Sequence, residues 1–465
     1  MPHPFDIAIK HARAYRDAVK TRPPRPTASA DALESALGGP TPEHGQDAGA
    51  VIEALARGAD PGLMGITGSR FFGWVIGGSH EAGVAADWLT SAWGQNAGLY
   101  AGSPAAAVLE GTAARWLVDI LRLPSECSVG FVTGATMANF VGLAAARNEV
   151  LRRAGWDVEA EGLQGAPRVR VIMGDDAHTT VFASLRFLGF GQNTPIRIAT
   201  DSQGRMDAEA FEAALATGDA PTIVIAQAGQ INTGAFDPIG RIAKACRARG
   251  AWLHVDGAFG LWARAVPELA HLADGIEDAD SWATDGHKWL QAPYDSGFVF
   301  VRDPAAHQRA MTIAASYLPQ SSAEYEASHY TPELSRRARG VAVWALLRTM
   351  GREGVTEMVR RHCGLAARVA RQLAAEASVR VHNEVCLNQI IVSFGEGDGE
   401  ARDAATRAVI ERLQDDNVCF AGGASWRGRW VMRISVISGP LQEVDVDRLG
   451  DAILSAWRAV RAEDI

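Results

Sequence analysis

The chain contains very little lysine. Among its 465 residues, 45 are lysine or arginine and 54 are aspartate or glutamate, which gives a net charge of -9. The only lysines are Lys10, Lys20, Lys244 and Lys288. A nucleic-acid-binding protein needs a basic face to neutralise phosphates, so the acidic balance argues against that class. Lys288 alone lies in an apolar setting, directly before Trp289 and Leu290, and is the lysine to consider for chemistry.

Cysteines and long apolar runs are also scarce. The cysteines are Cys127, Cys246, Cys363, Cys386 and Cys419, an odd number without CxxC spacing. We therefore expect thiols in the core, with neither a disulfide framework nor a metal site. No run approaches the roughly 20 apolar residues that span a bilayer, and the N-terminus has no apolar signal-peptide core. We expect a cytoplasmic enzyme with no membrane or nucleic-acid partner.

The first 60 residues predict an arm. A helix is expected from Phe5 to Val19, and the Pro/Gly-rich stretches TRPPRPTAS and ALGGPTPEHGQDAG are typical of extended linkers. Such arms often wrap a second subunit; a disordered tail is the alternative.

From residue 61 to about 340, short apolar runs alternate with helical patterns. The runs are VGFVTG, VRVIMGDD, PTIVIAQAG, AWLHVDGA, SWATDG and GFVFVRD. This alternation predicts a large α/β domain with a mainly parallel sheet. Residues 341–465 begin with a long helical pattern, continue with strands and end with a helix, which predicts a smaller α+β C-terminal domain.

Two residues point to a specific chemistry. Asp256 ends an apolar run, which places its carboxylate at the carboxyl edge of a strand, where open α/β sheets bind ligands. Lys288 follows the next short run, where loss of water would free its amine for imine formation. A carboxylate and an amine on successive strand ends suit a protonated pyridine that carries an aldehyde. Taken singly, Asp256 could cap a helix and Lys288 could be a surface lysine.

Two further elements support a cofactor site. In VTGATMANFVGLAAAR a strand ends and a helix opens at Ala135 and Thr136, which makes an anion site suited to a phosphate, with Asp285 assisting. Any capped helix looks similar. His178 in DDAHTTV follows another strand and could stack on a flat ring, although a lone histidine is more often structural.

These four elements, in this order and spacing, resemble the group II pyridoxal 5'-phosphate (PLP)-dependent amino-acid decarboxylases, the family of aromatic-amino-acid, tyrosine, histidine and glutamate decarboxylases. The specific signature is HVDxA followed about thirty residues later by HKW. The resemblance covers the chain from about residue 50 to the end. It implies fold-type I, the aspartate aminotransferase-like fold of PLP-dependent transferases, and a homodimer with its active site at the subunit interface.

The resemblance also implies residue roles. Lys288 forms the Schiff base, Asp256 pairs with the pyridine nitrogen, and Ala258 packs on the ring face opposite His178. Ala135 and Thr136 bind the phosphate, while Asn232, Asp285 and His287 lie near the cofactor. Tyr317 matches a loop tyrosine that protonates the substrate carbon after CO2 leaves; an ordinary loop tyrosine is the alternative. Tyrosine at this position favours simple decarboxylation, whereas relatives with phenylalanine tend to form aldehydes.

The expected substrate region departs from the family pattern. Where an aromatic decarboxylase has a Tyr-Phe-Pro-Thr-like run, this chain has SRFFGWVIGGS, so Trp74, Val75 and Gly77 would line a differently shaped site. In GASWRGRW, Trp426 and Arg427 are expected at the same edge, where Arg427 would hold a carboxylate or be a surface arginine.

The sequence thus predicts decarboxylation of an L-amino acid, aromatic ones included, to the amine and CO2. A PLP-dependent lyase, aldolase or aldehyde-forming enzyme on the same scaffold is the alternative, since the fold alone does not fix the reaction. A non-catalytic scaffold protein is the third hypothesis.

Overall fold

The computed structural model describes residues 2–313, 324–397 and 399–463. The chain divides into two compact units. The terminal unit comprises Met1–Ile76, Leu365–His382 and Ile390–Ile465, and the central unit comprises Gly77–Gly364 and Asn383–Gln389. The predicted division at residues 60 and 340 stays a prediction.

The helices are, in chain order, α1 (Pro4–Ala18), α2 (Ala30–Leu37), α3 (Ala48–Ala59), α4 (Glu81–Trp93), α5 (Pro104–Ile120), α6 (Ala135–Arg153), α7 (Val158–Glu161), α8 (Thr179–Phe187), α9 (Ala208–Ala216), α10 (Ile239–Arg249), α11 (Pro304–Met311), α12 (Gly340–Ala374), α13 (Glu400–Asp416) and α14 (Glu443–Glu463). Local signals explain several ends. Asp207 accepts hydrogen bonds from the backbone N–H groups of Glu209 and Ala210 and begins α9, and α10 ends at Gly250, whose φ is 65°.

The strands are β1 (Ser128–Val132), β2 (Arg170–Gly174), β3 (Ile196–Ile198), β4 (Thr222–Gln227), β5 (Trp252–Asp256), β6 (Ser281–Asp285), β7 (Gly297–Val301), β8 (Val379–Val381), β9 (Gln389–Phe394), β10 (Gly422–Trp426) and β11 (Arg429–Ser435). Most of the strands β1 to β7 are continuous apolar runs, because residues on both faces of the sheet are buried.

The central unit is built on a seven-stranded sheet in the order β1-β7-β6-β5-β4-β2-β3. Strands β2 to β6 pair in parallel, and β7 pairs antiparallel with both β1 and β6. The core includes the fully buried Trp252, Trp282, Phe131, Phe298 and Phe300. The prediction of a mainly parallel α/β sheet is confirmed.

The terminal unit contains a four-stranded sheet in the order β10-β11-β9-β8, in which β8 pairs antiparallel with β9 and β10 with β11. Helix α13 packs on α14 and on β11. The N-terminal helices α1 and α2 both contact α3, and Arg25 forms an ion pair of 2.9 Å with Asp415. The predicted first helix, the C-terminal strands and the terminal helix are confirmed.

Across the described ranges, no helix combines the length and the apolar character needed to cross a membrane.

Candidate active site

The sheet of the central unit brings several predicted side chains to one edge. Asp256 ends β5 and Asp285 ends the neighbouring parallel strand β6. Strand β1 runs in the same direction as β6, because both pair antiparallel with β7, and it leads into the start of α6. The carboxyl ends of parallel strands meet at one edge, which is where open α/β sheets bind ligands.

Asp256 is a buried carboxylate with a defined set of neighbours. The residue is 4% exposed, and its Oδ1 accepts a hydrogen bond of 3.2 Å from the backbone N–H of Ala258. Burial raises the pKa of Asp256, and the nearby charges of His178 and Lys288 lower it. No α-helix begins at Asp256, so the helix-cap alternative does not hold. A cation at this carboxylate, such as a protonated pyridine nitrogen, would compensate its burial.

Asp285 connects the lysine to the start of a helix. Its Oδ2 lies 2.9 Å from Nζ of Lys288, and its Oδ1 accepts a 2.6 Å hydrogen bond from the backbone N–H of Ala135. Nε2 of His287 is 3.4 Å from the same Oδ1, and burial lowers the pKa of His287. The carboxylate thus occupies the first N–H of α6.

The start of α6 fits a phosphate group. Ala135 donates to Asp285, so the next free N–H groups of the first turn, from Thr136 onward, point out of the helix end, where the helix dipole favours an anion. A Cβ at Gly134 would lie 3.0 Å from Cε1 of His287 and 3.2 Å from Oδ1 of Asp285. A Cβ at Gly297 would lie 2.4 Å from Cα of Gly134. Glycine at these two positions keeps open a cradle that larger residues would fill.

Lys288 is not a surface lysine. Its side chain is 15% exposed, and Nζ lies 6.0 Å from the centre of the Phe259 ring. The next residue, Trp289, is fully buried and donates from Nε1 to Nδ1 of His362 at 3.0 Å. The chain around Lys288 is therefore held by packing, and the amine is largely removed from water.

Gly77 packs against the backbone of the lysine. A Cβ at Gly77 would lie 2.0 Å from the carbonyl oxygen of Lys288 and 2.5 Å from that of His287. The neighbouring Gly78 donates its N–H to Oε1 of Gln291 at 2.9 Å. The structure therefore gives Gly77 a role in close packing, while its predicted contact with substrate stays a prediction.

His178 begins α8. Its Nδ1 accepts from the backbone N–H of Thr180 at 3.3 Å and lies 2.7 Å from the Thr180 hydroxyl. His178 therefore has a structural role at the start of α8, as the alternative interpretation of a lone histidine expected. It also follows β2, which is parallel to β4 and β5 and therefore ends at the same edge of the sheet as Asp256.

Two smaller predicted neighbours are held by local hydrogen bonds. Asn232 donates its backbone N–H to Oε1 of Gln230 at 2.6 Å and is 8% exposed. The carbonyl oxygen of Ala258 accepts from the backbone N–H of Asp285 at 2.9 Å. Ala258 is therefore tied both to Asp256 and to the adjacent strand end.

The remaining predicted substrate residues lie in the terminal unit. Trp74 is 52% exposed with φ 50°, and its ring centre lies 5.9 Å from that of Phe71. Val75 and Trp426 are buried. Arg427 occupies the turn between β10 and β11 with φ 53°, and its guanidinium lies 4.9 Å from the Trp426 ring. Tyr317 lies outside the described residues.

The sequence analysis gave no role to His254 and Asn139, two buried residues that the structure brings together near Asp256. His254 lies two residues before Asp256 in the HVDGAFG motif, and its Nε2 is 2.9 Å from Oδ1 of Asn139 on α6. The i, i+2 spacing, which puts His254 and Asp256 on one face of β5, was the available signal.

Comparisons with known proteins agree with this geometry. The pyridoxal-dependent decarboxylase conserved domain matches residues 33–394. An aromatic-L-amino-acid decarboxylase of Bacillus atrophaeus is 30% identical over 354 residues, which covers 74% of this chain and 71% of the relative. Tryptophan decarboxylase 1 of Oryza sativa subsp. japonica is 28% identical, and the match covers 98% of this chain and 91% of the relative. A 4-hydroxyphenylacetaldehyde synthase of Rhodiola rosea is 26% identical and covers 98% and 93%.

Solved structures show the same fold. The crystal structure of Oryza sativa TDC with PLP and tryptamine matches with a TM-score of 0.90 and 24% identity, covering 98% of this chain and 97% of that one. The Rhodiola rosea 4-hydroxyphenylacetaldehyde synthase matches with a TM-score of 0.87 and 22% identity, covering 98% and 97%.

The predicted fold-type I architecture, the PLP cofactor and the amino-acid decarboxylase class are confirmed by these matches. The chain belongs to the family of pyridoxal-dependent decarboxylases.

Proposed function

We propose that this decarboxylase acts on an aromatic L-amino acid and releases the amine and CO2. What supports the aromatic class is that relatives covering most of the chain are named tryptophan decarboxylase and aromatic-L-amino-acid decarboxylase. The observation that carries the site assignment is Asp285, which holds Lys288 on one oxygen and the start of α6 on the other.

We assign the cofactor-binding roles within the central unit. Lys288 would provide the amine that binds the aldehyde carbon of PLP, and Asp256 would hold the proton on its pyridine nitrogen. Thr136 and the first turn of α6 bind the phosphate, with Ala135 and Asp285 fixing that turn. His178 and Ala258 would lie against bound PLP, and Asn232 and His287 would lie near it. When bound, PLP supplies an electron sink for the bond that breaks at the α-carbon.

The protein residues then control the protons. Asp256, as an anion, would keep the pyridine nitrogen of bound PLP protonated. Tyr317 or His178 delivers a proton to the α-carbon. Asp285 would hold the free amine of Lys288, since its Oδ2 lies 2.9 Å from Nζ.

A direct test uses the holoenzyme and the Lys288→Ala variant with a panel of amino acids. We expect amine and CO2 in equal amounts from an aromatic amino acid with the wild type only. An arginine control, Arg352→Ala on an exposed pair with Asp119, should leave turnover unchanged. CO2 release from acidic or aliphatic substrates alone would refute the aromatic assignment. Activity of Lys288→Ala equal to that of the wild type would refute the proposed role of Lys288.

Formation of an aldehyde is the second candidate function, because some relatives are named aldehyde synthases. In that reaction the amino acid, O2 and water yield the aldehyde, CO2, ammonia and hydrogen peroxide. Tyr317 argues for the amine. We expect Tyr317→Phe to shift product from amine toward aldehyde with matching peroxide. Peroxide at one equivalent per CO2 from the wild type would establish the alternative.

The five predicted substrate residues are tested by specificity. We propose that Trp74, Val75, Gly77, Trp426 and Arg427 influence substrate choice. Trp74→Ala should change the ratio of kcat/KM between aromatic and aliphatic substrates more than kcat itself. If kcat/KM fell by the same factor for all substrates, Trp74 would have a structural role.

We also propose a homodimer. Large apolar side chains are exposed in the N-terminal part of the chain, among them Leu55 at 53% and Trp93 at 50%. Such surface is typical of an interface. Sedimentation should give a dimer that Leu55→Glu or Trp93→Glu weakens, while Val444→Glu, at a site that is 62% exposed, should not. An active wild-type monomer would contradict the proposal.

We propose a cytoplasmic location, supported by five cysteines that are all free. Fractionation of the source cells should recover the activity with cytoplasmic markers.

A further inference from the structure

A line of hydrogen bonds runs through His254, which has no role in the proposed reaction. Nε1 of Trp252 donates to Oγ of Ser281 at 2.9 Å, and that oxygen is 2.8 Å from Nδ1 of His254. Nε2 of His254 is 2.9 Å from Oδ1 of Asn139. All four residues are at most 1% exposed, so no water competes for these bonds.

The chemistry of the groups fixes the direction of the line. The amide oxygen of Asn139 can only accept, so Nε2 of His254 carries the proton. Burial lowers the pKa of His254 to about 3, so the ring is neutral and Nδ1 accepts from the Ser281 hydroxyl. The indole of Trp252 can only donate. Each donor therefore points along the line toward Asn139.

The line ends beside the cofactor-binding carboxylate. Nδ2 of Asn139 is buried and has no hydrogen-bond partner among the described residues. Asp256 lies on the same face of β5 as His254. Burial raises the pKa of Asp256, and the Asn139 side chain is among the neighbours that act against this rise. A buried donor without a partner is costly, and an adjacent carboxylate is the group that offsets that cost.

Helix α6 makes room for this arrangement. A Cβ at Gly142 would lie 2.7 Å from Cε1 and 2.9 Å from Nδ1 of His254. Glycine inside a helix is destabilising relative to alanine. Here glycine is required because the imidazole packs directly against the helix backbone.

We infer that Asn139, held in orientation by His254 and Ser281, is a positioning residue that turns its amide toward Asp256 and keeps that carboxylate ionised and aimed at the pyridine nitrogen. This inference rests on the proposed role of Asp256. In this proposal the hydrogen bonds control protonation of the cofactor nitrogen, in addition to stabilising the core.

The test measures protonation of the cofactor nitrogen directly, without turnover. Wild type and variants are loaded with PLP labelled with 15N in the ring, and the 15N chemical shift is followed against pH. We expect the midpoint of deprotonation to fall by about one pH unit in Asn139→Leu and in His254→Leu. His254→Gln keeps a donor near the position of Nε2, and its midpoint should stay close to that of the wild type.

A second buried histidine provides the matched control. His307 is also fully buried, lies 2.9 Å from Ser128 and 3.0 Å from the carbonyl oxygen of Tyr330, and belongs to the same unit. His307→Leu should cost stability without moving the 15N midpoint. If Asn139→Leu does not fold, Ser281→Ala, which removes only the hydroxyl between Trp252 and His254, is titrated in the same way. Its midpoint should also fall, and an unchanged midpoint would overturn the positioning role.

The outcomes separate the two proposals. Asp256→Asn should leave the nitrogen unprotonated at neutral pH; an unchanged shift there, or an unprotonated nitrogen in the wild type, would overturn the role of Asp256. A large shift in Asp256→Asn together with wild-type midpoints in Asn139→Leu and His254→Leu would overturn the positioning role alone. Equal midpoint changes in His254→Leu and His307→Leu would likewise overturn it.

Discussion

Nζ of Lys288 and Oδ2 of Asp285 lie 2.9 Å apart, with Asp285 at the end of β6 and Lys288 in the turn that follows it. The second oxygen of the same carboxylate accepts from Ala135, 150 positions earlier in the chain. One side chain therefore positions the amine and the start of the phosphate-binding helix together.

Replacing Asp285 should separate these two functions. Asp285→Ala leaves the N–H of Ala135 without its acceptor, and we expect a loss of about 1 kcal/mol in the unfolding free energy of the cofactor-free protein. Asp285→Asn retains an acceptor and should lose less. Urea unfolding measures both; equal losses would show that the hydrogen bond to Ala135 is not stabilising.

Gly77→Ala should disturb the lysine without touching the cofactor. The new Cβ would lie 2.0 Å from the carbonyl oxygen of Lys288, so the backbone must move, at a cost of about 1–3 kcal/mol. We expect weaker PLP binding in a fluorescence titration and a lower Tm. Gly364→Ala is the control, since among the described residues no atom beyond its chain neighbours and its own helix backbone would lie within 4 Å of the new Cβ. Similar behaviour of both variants would contradict the packing role.

The buried ion pair between Arg336 and Glu110 should be hard to break from one side. Nη1 of Arg336 lies 2.8 Å and 2.9 Å from the two carboxylate oxygens, and burial raises the pKa of Glu110. Arg336→Met leaves this carboxyl without its cation, and we expect a loss of about 3–5 kcal/mol.

The control for that prediction is Arg352→Met, which removes an exposed pair with Asp119 and should cost less than about 1 kcal/mol. The double variant Glu110→Leu/Arg336→Met should regain part of the loss. Chemical denaturation measures all three, and a loss below 1 kcal/mol in Arg336→Met would show that the pair is not needed.

His307 should contribute to acid sensitivity. Burial lowers its pKa from 6.5 to about 3, so the unfolded chain takes up a proton below pH 6.5 that the folded chain does not. Titration of His307 therefore leaves the unfolding free energy unchanged above pH 6.5. Below that pH it lowers the unfolding free energy by about 1.4 kcal/mol per pH unit toward pH 3. His307→Gln should therefore lose less stability between pH 7 and pH 5 than the wild type.

Denaturation midpoints at pH 7, 6 and 5 measure this difference. His44→Gln, at an exposed position in the loop before α3, should follow the wild type throughout. A pH dependence that is the same in His307→Gln and in the wild type would contradict the prediction.

Much of the central sheet could be predicted from the sequence because buried parallel strands are short apolar runs with recognisable boundaries. The runs ending at Asp256 and before Lys288 became β5 and β6 with their edges as expected. Short or exposed elements were not predicted. Strand β3 has two exposed residues out of three, and α2 has no buried residue, so neither carries a strong hydrophobic pattern.

The site divides in the same way. The sequence by itself determined that Asp256 ends a strand and that His178 and Lys288 follow strands, since alternation of strands and helices sends such residues to one sheet edge. Only the tertiary structure decided their partners: Asp285 with Ala135, Gly77 with the backbone of Lys288, and His254 with Asn139. These contacts join residues more than 100 positions apart. Their geometry is set by how α6 and the loops pack on the sheet, which no local pattern of residues records.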